Sequence, residues 1–162
     1  MRIDKLTTKF QEALADAQSM AITRDNPYIE PPHLLLAMLA QAEGLKALLS
    51  RAGVNTQGLT VALESEVNKL PQVQGSEQVQ AGRDLVSLLQ GAEKEAGKRG
   101  DQFIASEMFL LALTETKAPV GKIMKDHGLS RKSLESAIDA VRGGQKVDNA
   151  GAEGQREALK KY

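Results

Sequence analysis

The feature that most constrains this chain is a segment that occurs twice, 75 residues apart. RDNPYIEPPHLLLAML spans residues 24–39, and RGDQFIASEMFLLAL spans residues 99–113. The register between the copies needs no gap from residue 10 through residue 67, with Ile29 matching Ile104 and Gly53 matching Gly128. A repeat of this length indicates a duplicated structural unit.

Each copy has the apolar spacing of short helices. Steps of three and four residues place apolar side chains on one face of the first helix, and the second copy repeats the stripe at equivalent positions. The stripes are Phe10, Ala13, Leu14, Ala17 and Ala21, and then Leu85, Leu88, Leu89, Ala92 and Ala96. An almost wholly apolar helix follows, then a third at Leu45–Arg51 and a fourth from Asn55. We predict an all-α fold of two tandem four-helix repeats, related by pseudo-twofold symmetry within one globular domain.

Capping residues predict where two of these helices begin. Thr8 with Gln11 fits a capping box at the start of the first helix, with Asp4 and Thr7 as alternative caps. Ser106 is the predicted cap of the apolar helix in the second copy, with Glu107 at its positive end.

Composition shifts divide the chain. Residues 1–145 form the predicted domain, with repeat one at about 1–70, a surface connection at 71–84 and repeat two at about 85–143. The connection is rich in Gln, Gly and Ser and lacks helical periodicity. Residues 146–162 are polar and Gly-rich and are expected to be a flexible linker. The closing REALKKY has no terminating signal, so we expect a fragment of a longer protein.

Several function classes are disfavoured by the sequence. Acidic and basic residues balance at 21 each, which argues against a general nucleic-acid binder. The Gly121-Lys122 pair lacks the other residues of a phosphate-binding loop, and the two histidines are not in a metal-ligand spacing. There is no cysteine, and no apolar run approaches the length of a membrane span. We therefore expect no catalysis, metal or cofactor in this segment, no membrane insertion, and a cytoplasmic protein.

A binding module is the remaining class, and the two copies differ where it matters. Pro31-Pro32-His33 in copy one becomes Ser106-Glu107-Met108 in copy two, and Asp101 lies in the turn that enters this helix. A carboxylate beside a flexible apolar side chain suits recognition of varied apolar partners. The ordinary alternative makes Asp101 a turn former, Glu107 a complement to the helix dipole and Met108 a core residue.

Four stretches carry a resemblance to a known family. They are MRIDKLTTKFQEALADAQSMA at the start, LPQVQG at 70–75, KRGDQFIASEMF at 98–109 and GAEGQREALKKY at the end. Together with the duplicated unit they resemble the N-terminal Clp repeat domain of the Clp ATPases. The chain is more similar to the ClpB disaggregase branch than to the protease-associated ClpA and ClpC branches.

This resemblance implies a substrate-binding domain, mobile on its linker, on a homohexameric ring driven by ATP and Mg²⁺ in AAA+ modules that this segment lacks. It implies unfolded or aggregated polypeptides as partners, cooperation with the DnaK chaperone system, and a monomer for the isolated segment. By family likeness, Leu89 and Met108 match apolar positions of a substrate groove, although the family expects leucine at 108. Thr7, Asp101 and Glu107 match polar positions linked to chaperone activity.

Two alternatives stay open at this point. The domain could dock a folded adaptor for a protease-associated Clp unfoldase, or it could be a structural spacer. A helix-turn-helix DNA reader is disfavoured because neither copy has a basic recognition face.

Overall fold

The computed structural model describes residues 3–41, 44–75 and 78–154. Their secondary structure is almost entirely helical. In chain order the elements are a 3-10 helix at Ile3–Lys5, α1 Thr8–Thr23, β1 Tyr28–Ile29, α2 Pro31–Ala40, α3 Gly44–Arg51, α4 Thr56–Asn68, β2 Gln80–Ala81, α5 Arg83–Arg99, α6 Ser106–Leu113, α7 Pro119–Asp126 and α8 Arg131–Arg142.

The predicted all-α fold of two four-helix repeats is confirmed. Helices α1 to α4 form the first copy, and α5 to α8 form the second in the same order. The predicted third helix begins one residue earlier, at Gly44, and Asn55 caps α4 by accepting a hydrogen bond from the Gly58 N–H. Among the described residues no helix has the length and apolarity needed to cross a membrane.

The core lies around α2 and α6, the two most apolar helices. Every residue of α6 is buried, and so is every residue of α2 except the last. The two copies share this core: Phe10 of α1 meets Phe109 of α6 edge to face, with ring centroids 6.1 Å apart. Burial on all sides explains why these helices are apolar all round rather than along one stripe.

Pairs of exchanged contacts reveal the pseudo-twofold symmetry. Ile29 of β1 pairs in parallel with Ala81 of β2, and Leu6 forms a parallel bridge with Ile104. Since Leu6 corresponds to Ala81 and Ile29 to Ile104, the two pairings are the same contact made in both directions. Helices α3 and α7 exchange in the same way, with α3 against α8 and α4 against α7. Each copy therefore completes the other, and β2 supplies a pairing that sequence periodicity did not indicate.

Gly53 and Gly128 meet where the two copies cross. Both have positive φ, and a Cβ on Gly128 would lie 2.7 Å from the Gly53 carbonyl oxygen. The Asn55 N–H donates to the carbonyl of His127 beside this point, at 2.9 Å. At Gly128 a β-carbon therefore requires the backbone to move, whereas at Gly53 only the positive φ favours glycine.

The structure selects one of the alternative caps for α1 and moves the predicted cap of α6 by one residue. Thr7, rather than Thr8, caps α1, and its hydroxyl accepts from the Phe10 N–H at 3.3 Å. The N-cap of α6 is Ala105, which has no polar side chain, and Ser106 is the first helical residue. The side chain that bonds this helix end comes from Glu153, far along the chain.

Residues 146–154, which the sequence placed in a flexible linker, pack against the domain. We call this segment the strap. Val147 is only 2% exposed, and residues 152–154 form a helical turn with Glu153 buried. Hydrogen bonds of the strap main chain and of the Glu153 side chain hold this segment, and the polar, Gly-rich composition of the segment does not indicate them. The rest of the expected linker, residues 155–162, lies outside the described residues.

The contact between Gly53 and Gly128 predicts that alanine at Gly128 and alanine at Gly97 change the stability in opposite directions. We expect Gly128→Ala to lower the free energy of unfolding by about 2–3 kcal/mol, because the new methyl group meets the Gly53 carbonyl and φ stays positive. Gly97→Ala is the matched control: it lies within α5 with no atom within 4 Å of the added carbon, so it should stabilise by about 0.5–1 kcal/mol. Urea unfolding measures both. Equal effects at the two positions would contradict the proposed crossing.

Candidate functional site: a buried charge network beneath the strap

Three of the five sequence-predicted site residues meet at one place. Thr7 caps α1, Asp101 lies in the turn after α5, and Glu107 lies in the first turn of α6. They are joined by two residues that the sequence analysis did not single out, Arg142 at the end of α8 and Glu153 of the strap. The network therefore connects three parts of the fold to the strap.

Arg142 is the centre of this network. Its Nη1 donates to both carboxylate oxygens of Asp101, at 2.9 and 3.1 Å, and its Nε donates to Glu107 at 3.0 Å. The side chains of all three residues are at most 4% exposed. A buried cation flanked by two carboxylates holds their positions firmly, since removing any member leaves an unpaired charge in a poorly solvated place.

Asp101 also holds the strap. The Val147 N–H donates to Asp101 Oδ1 at 3.1 Å, and the Val147 carbonyl accepts from the N–H groups of Gln102 and Phe103. Further along, the Ala150 carbonyl accepts from the Thr8 N–H at 2.8 Å. These contacts all use the strap main chain, so they do not depend on which side chains the strap carries.

Glu153 lies near the end of the strap and binds two donors of the domain. Its Oε1 accepts from the Thr7 hydroxyl at 2.7 Å and from the Ser106 N–H at 3.0 Å. A carboxylate at this point faces the positive end of α6, whose own cap position, Ala105, offers no acceptor side chain. Glu153 thus satisfies two buried donors that the domain itself leaves unmatched.

Burial raises the pKa of the Glu153 carboxyl above its ordinary value, and the nearby negative charge of Glu107 raises it further. The hydrogen bonds from Ser106 and Thr7 oppose this change but do not cancel it. The docked strap therefore binds a proton more readily than an undocked one would.

The first copy carries a neutral version of the same arrangement. Asn26, the counterpart of Asp101, donates to the Pro71 carbonyl and bonds His33 at 2.9 Å. Burial, with a smaller contribution from Arg24, lowers the pKa of His33 to about 4, so this imidazole is neutral at pH 7. Val67 stands where the second copy has Arg142. The charged network is thus specific to the second copy.

Glu30 gives the first copy a built-in carboxylate. A side chain at Gly82, the counterpart of Thr7, would collide with the Glu30 carboxylate. Glu30 corresponds to Ala105 in the second copy. The first copy therefore carries its acidic group within the repeat, whereas the second copy receives one from the strap.

Leu89 and Met108 do not line an open groove in this structure. Met108 is fully buried in the first turn of α6, and Leu89 on α5 is 8% exposed. Both belong to the hydrophobic core, so neither side chain presents a surface to a partner in this conformation.

One of the two unforeseen residues had a signal in the sequence. Leu134, Ile138 and Arg142 follow at steps of four, which places an arginine on the buried face of α8. Such an arginine requires buried acidic partners. Glu153 had no comparable signal, because its partners lie more than 45 residues away.

The carboxylates of this site already have partners within the chain. They are engaged by Arg142 or by strap and helix donors. In the parts of the chain that the structure describes, no three His, Asp or Glu side chains are grouped so as to hold a metal ion.

The network predicts a large penalty for losing its cation. We expect Arg142→Met to lower the free energy of unfolding by about 3–5 kcal/mol, because Asp101 and Glu107 remain buried without a counter-charge. Arg99→Met is the control: Arg99 pairs with Asp139 and Glu135, which are 67% and 43% exposed, so its loss should cost about 1 kcal/mol or less. Chemical denaturation distinguishes the two. Similar losses would contradict a buried network.

Glu153 predicts a pH dependence with a definite sign. Because its pKa is raised in the folded state, docking is favoured at low pH and weakens as the pH rises from the unfolded-state value of about 4.3 through the raised value. Glu153→Gln keeps an acceptor and carries no charge, so it should remove this loss and match or exceed wild-type stability at pH 7. Urea unfolding from pH 5 to pH 8 measures the difference between the two proteins.

The control for this prediction is Glu153→Ala, which removes the acceptor as well as the charge. It leaves the Ser106 N–H and the Thr7 hydroxyl unmatched and should be less stable than Glu153→Gln at every pH. Lower stability of Glu153→Gln than of wild type at pH 8 would show that the carboxylate charge stabilises docking.

Comparison with known proteins places this geometry in a family. Residues 5–127 match the family described as "Clp repeat (R) N-terminal domain". The chain is 46% identical to the chaperone protein ClpB of Pseudomonas putida over 164 aligned positions, covering all of this chain and 19% of that protein. It is 43% identical to the chaperone protein ClpB of Vibrio cholerae, with the same coverage.

Solved structures show the same fold. The Hsp104 N-terminal domain from Candida albicans has a TM-score of 0.79 and 23% identity, with 91% of this chain and 98% of that one covered. The N-terminal domain of ClpV1 ATPase from E. coli has a TM-score of 0.74 and 26% identity, with 87% and 88% covered.

The two ClpB proteins are far longer than this chain, which spans about a fifth of their length. The match to the family extends over most of both repeats, and identity to the ClpB relatives extends over the full chain. The chain is therefore a Clp repeat N-terminal domain, similar to the N-terminal region of ClpB chaperones.

Proposed function

We propose that this domain engages unfolded or aggregated polypeptides for an ATP-driven disaggregase, before the ATPase ring threads them. The observation that carries the proposal is that the main chain of the strap is held at Val147 and Ala150, beside the predicted site residues Asp101 and Thr7. A surface that binds one segment in this way has the chemistry to bind another. The full-length protein would be a cytoplasmic homohexamer that uses ATP and Mg²⁺ and works with the DnaK system.

Client binding would replace the strap. Asp101 offers a carboxylate acceptor for a client N–H, and the N–H groups of Gln102, Phe103 and Thr8 offer donors for client carbonyls. Because these groups contact only main chain, they would accept clients of many sequences, as strand-addition sites do. Departure of the strap would also expose the Val147 side chain, which is now buried.

The predicted site residues take different roles in this proposal. Asp101 and Thr7 would contact the client directly, since they contact the strap. Glu107 would act through Arg142 by fixing Asp101. Leu89 and Met108 would make no direct contact with the client in this conformation, because both belong to the core.

Competition with the strap would keep client binding weak. A client must supply the free energy needed to undock the strap as well as the cost of its own ordering. Weak binding suits a domain that hands its client to a pore, because the client must be released. An adaptor-docking domain would instead favour a folded partner.

A reversible lock on the strap tests this proposal. The main chains of Thr8 and Ala150 are hydrogen-bonded, and the natural sequence has no cysteine, so Thr8→Cys/Ala150→Cys can form one disulfide. We expect the oxidised variant to lose at least tenfold in affinity for unfolded ribonuclease, reduced and blocked with iodoacetamide. Reduction of the same sample should restore binding, as measured by fluorescence anisotropy.

Two controls separate the possible failures. The single variant Thr8→Cys should bind equally with and without reductant, and folded ubiquitin should not bind. Equal binding by the locked and reduced forms would contradict strap replacement while leaving client binding intact. Absence of binding in every form, or preference for the folded protein, would contradict the proposed function itself.

A further inference from the structure

The second copy carries lysines that the first copy lacks. Five of them lie on α5, α7 and the loop between α6 and α7, and none of their counterparts in the first copy is charged. The lysines are Lys94, Lys98, Lys117, Lys122 and Lys125, and the counterparts are Ser19, Thr23, Ala42, Ala47 and Ser50. These five positions are therefore positively charged in the second copy only, although the chain as a whole has a formal net charge of zero.

Three of these lysines surround a cleft. Lys117, Lys122 and Lys125 line a cavity of about 560 Å³ between the α6–α7 loop, α7 and the beginning of α8. All three are exposed, and within residues 3–41, 44–75 and 78–154 none of them forms an ion pair. No acidic residue of that described part lines the cleft. The positive charge of the three lysines is consequently not neutralised by residues that line the cleft.

Arg131, which also lines the cleft, is occupied in a different way. It forms a two-pronged pair with the buried Glu95, at 2.8 and 2.9 Å, and lies 3.4 Å from Glu115. These contacts hold the beginning of α8 against α5 and form one wall of the cleft. The three lysines, rather than Arg131, therefore supply the charge available to a ligand.

The floor of the cleft is apolar. Leu113, the last residue of α6, and Leu129, just before α8, line it and are 2% and 5% exposed. Gly121 packs closely against the loop at the edge of the cleft, where a Cβ would lie 2.7 Å from the Thr116 side chain. The site therefore combines a cationic rim with a small apolar base.

A second cleft continues this surface. It has a volume of about 580 Å³, includes Lys94 and Lys98, and shares Thr116 and Arg131 with the first. Glu95 and Glu115 also line it, but both are paired with Arg131, so Lys94 and Lys98 supply the charge there that is available to a ligand. The two clefts together form a track longer than a single small anion needs, and an extended chain with several negative charges matches the five lysines along it.

We propose that this lysine track, Lys94, Lys98, Lys117, Lys122 and Lys125, binds an acidic polypeptide segment whose apolar side chain enters the cleft over Leu113 and Leu129. Nucleic acid fits less well, because single strands rely on aromatic stacking and no aromatic residue lines either cleft in the described chain. The site is separate from the strap network and does not rest on the function proposed above. It would give the domain a second contact that selects partners by charge.

The test is a titration of the 162-residue chain with a fluorescein-labelled, glutamate-rich peptide that has a central leucine. We expect saturable binding that weakens with added salt and is absent for the same peptide with glutamine in place of glutamate. Lys117→Gln/Lys122→Gln/Lys125→Gln should weaken binding about tenfold, since each exposed charge contributes modestly. These substitutions are on exposed side chains, and circular dichroism checks that the fold is kept.

A matched triple, Lys46→Gln/Lys69→Gln/Arg83→Gln, removes the same charge from exposed positions in the first copy and at the start of α5. It should leave peptide binding within about twofold of wild type, because long-range effects of surface charge are screened by salt. Equal weakening by both triples would overturn the site in favour of a general charge effect. Unchanged binding by the track variant, or tighter binding of oligo(dT) than of the peptide, would also overturn it.

Discussion

Arg142 fixes the positions of the acidic side chains around the turn where the strap docks. Its guanidinium fixes Asp101 with one nitrogen and Glu107 with another, in a place where all three side chains are almost wholly shielded from water. Buried charges of this kind contribute little net stability compared with apolar packing, but breaking one pair is costly. The geometry of the turn at Asp101 is therefore tightly specified, and this turn is where the strap docks.

The two copies share one fold, and they differ in the polar residues around the turn at Asp101 and its counterpart Asn26. In the first copy the equivalent turn is closed by neutral groups, Asn26 and His33, and the acidic group comes from Glu30 within the repeat. In the second copy the turn is charged and the acidic group arrives on the strap, as Glu153. A site completed from outside the repeat can be opened without disturbing the core.

Sequence periodicity was sufficient for the fold but only partly for the site. The apolar stripes and the 75-residue register predict the eight helices because burial dictates both their spacing and their pairing across the pseudo-twofold axis. Asp101 and Glu107 stood out because they break the repeat. The docking of the strap could not be predicted this way, since it depends on main-chain hydrogen bonds that a polar, Gly-rich sequence does not signal. Leu89 and Met108 look alike in sequence whether they line a groove or fill a core.

Amide hydrogen exchange of the free and client-bound chain tests the central claim most directly. If a client replaces the strap, the Val147 N–H should lose its protection on binding. The N–H groups of Gln102, Phe103 and Thr8 should stay protected, because client carbonyls take the place of those of Val147 and Ala150. Continued protection of Val147 in the presence of saturating unfolded client would contradict the account.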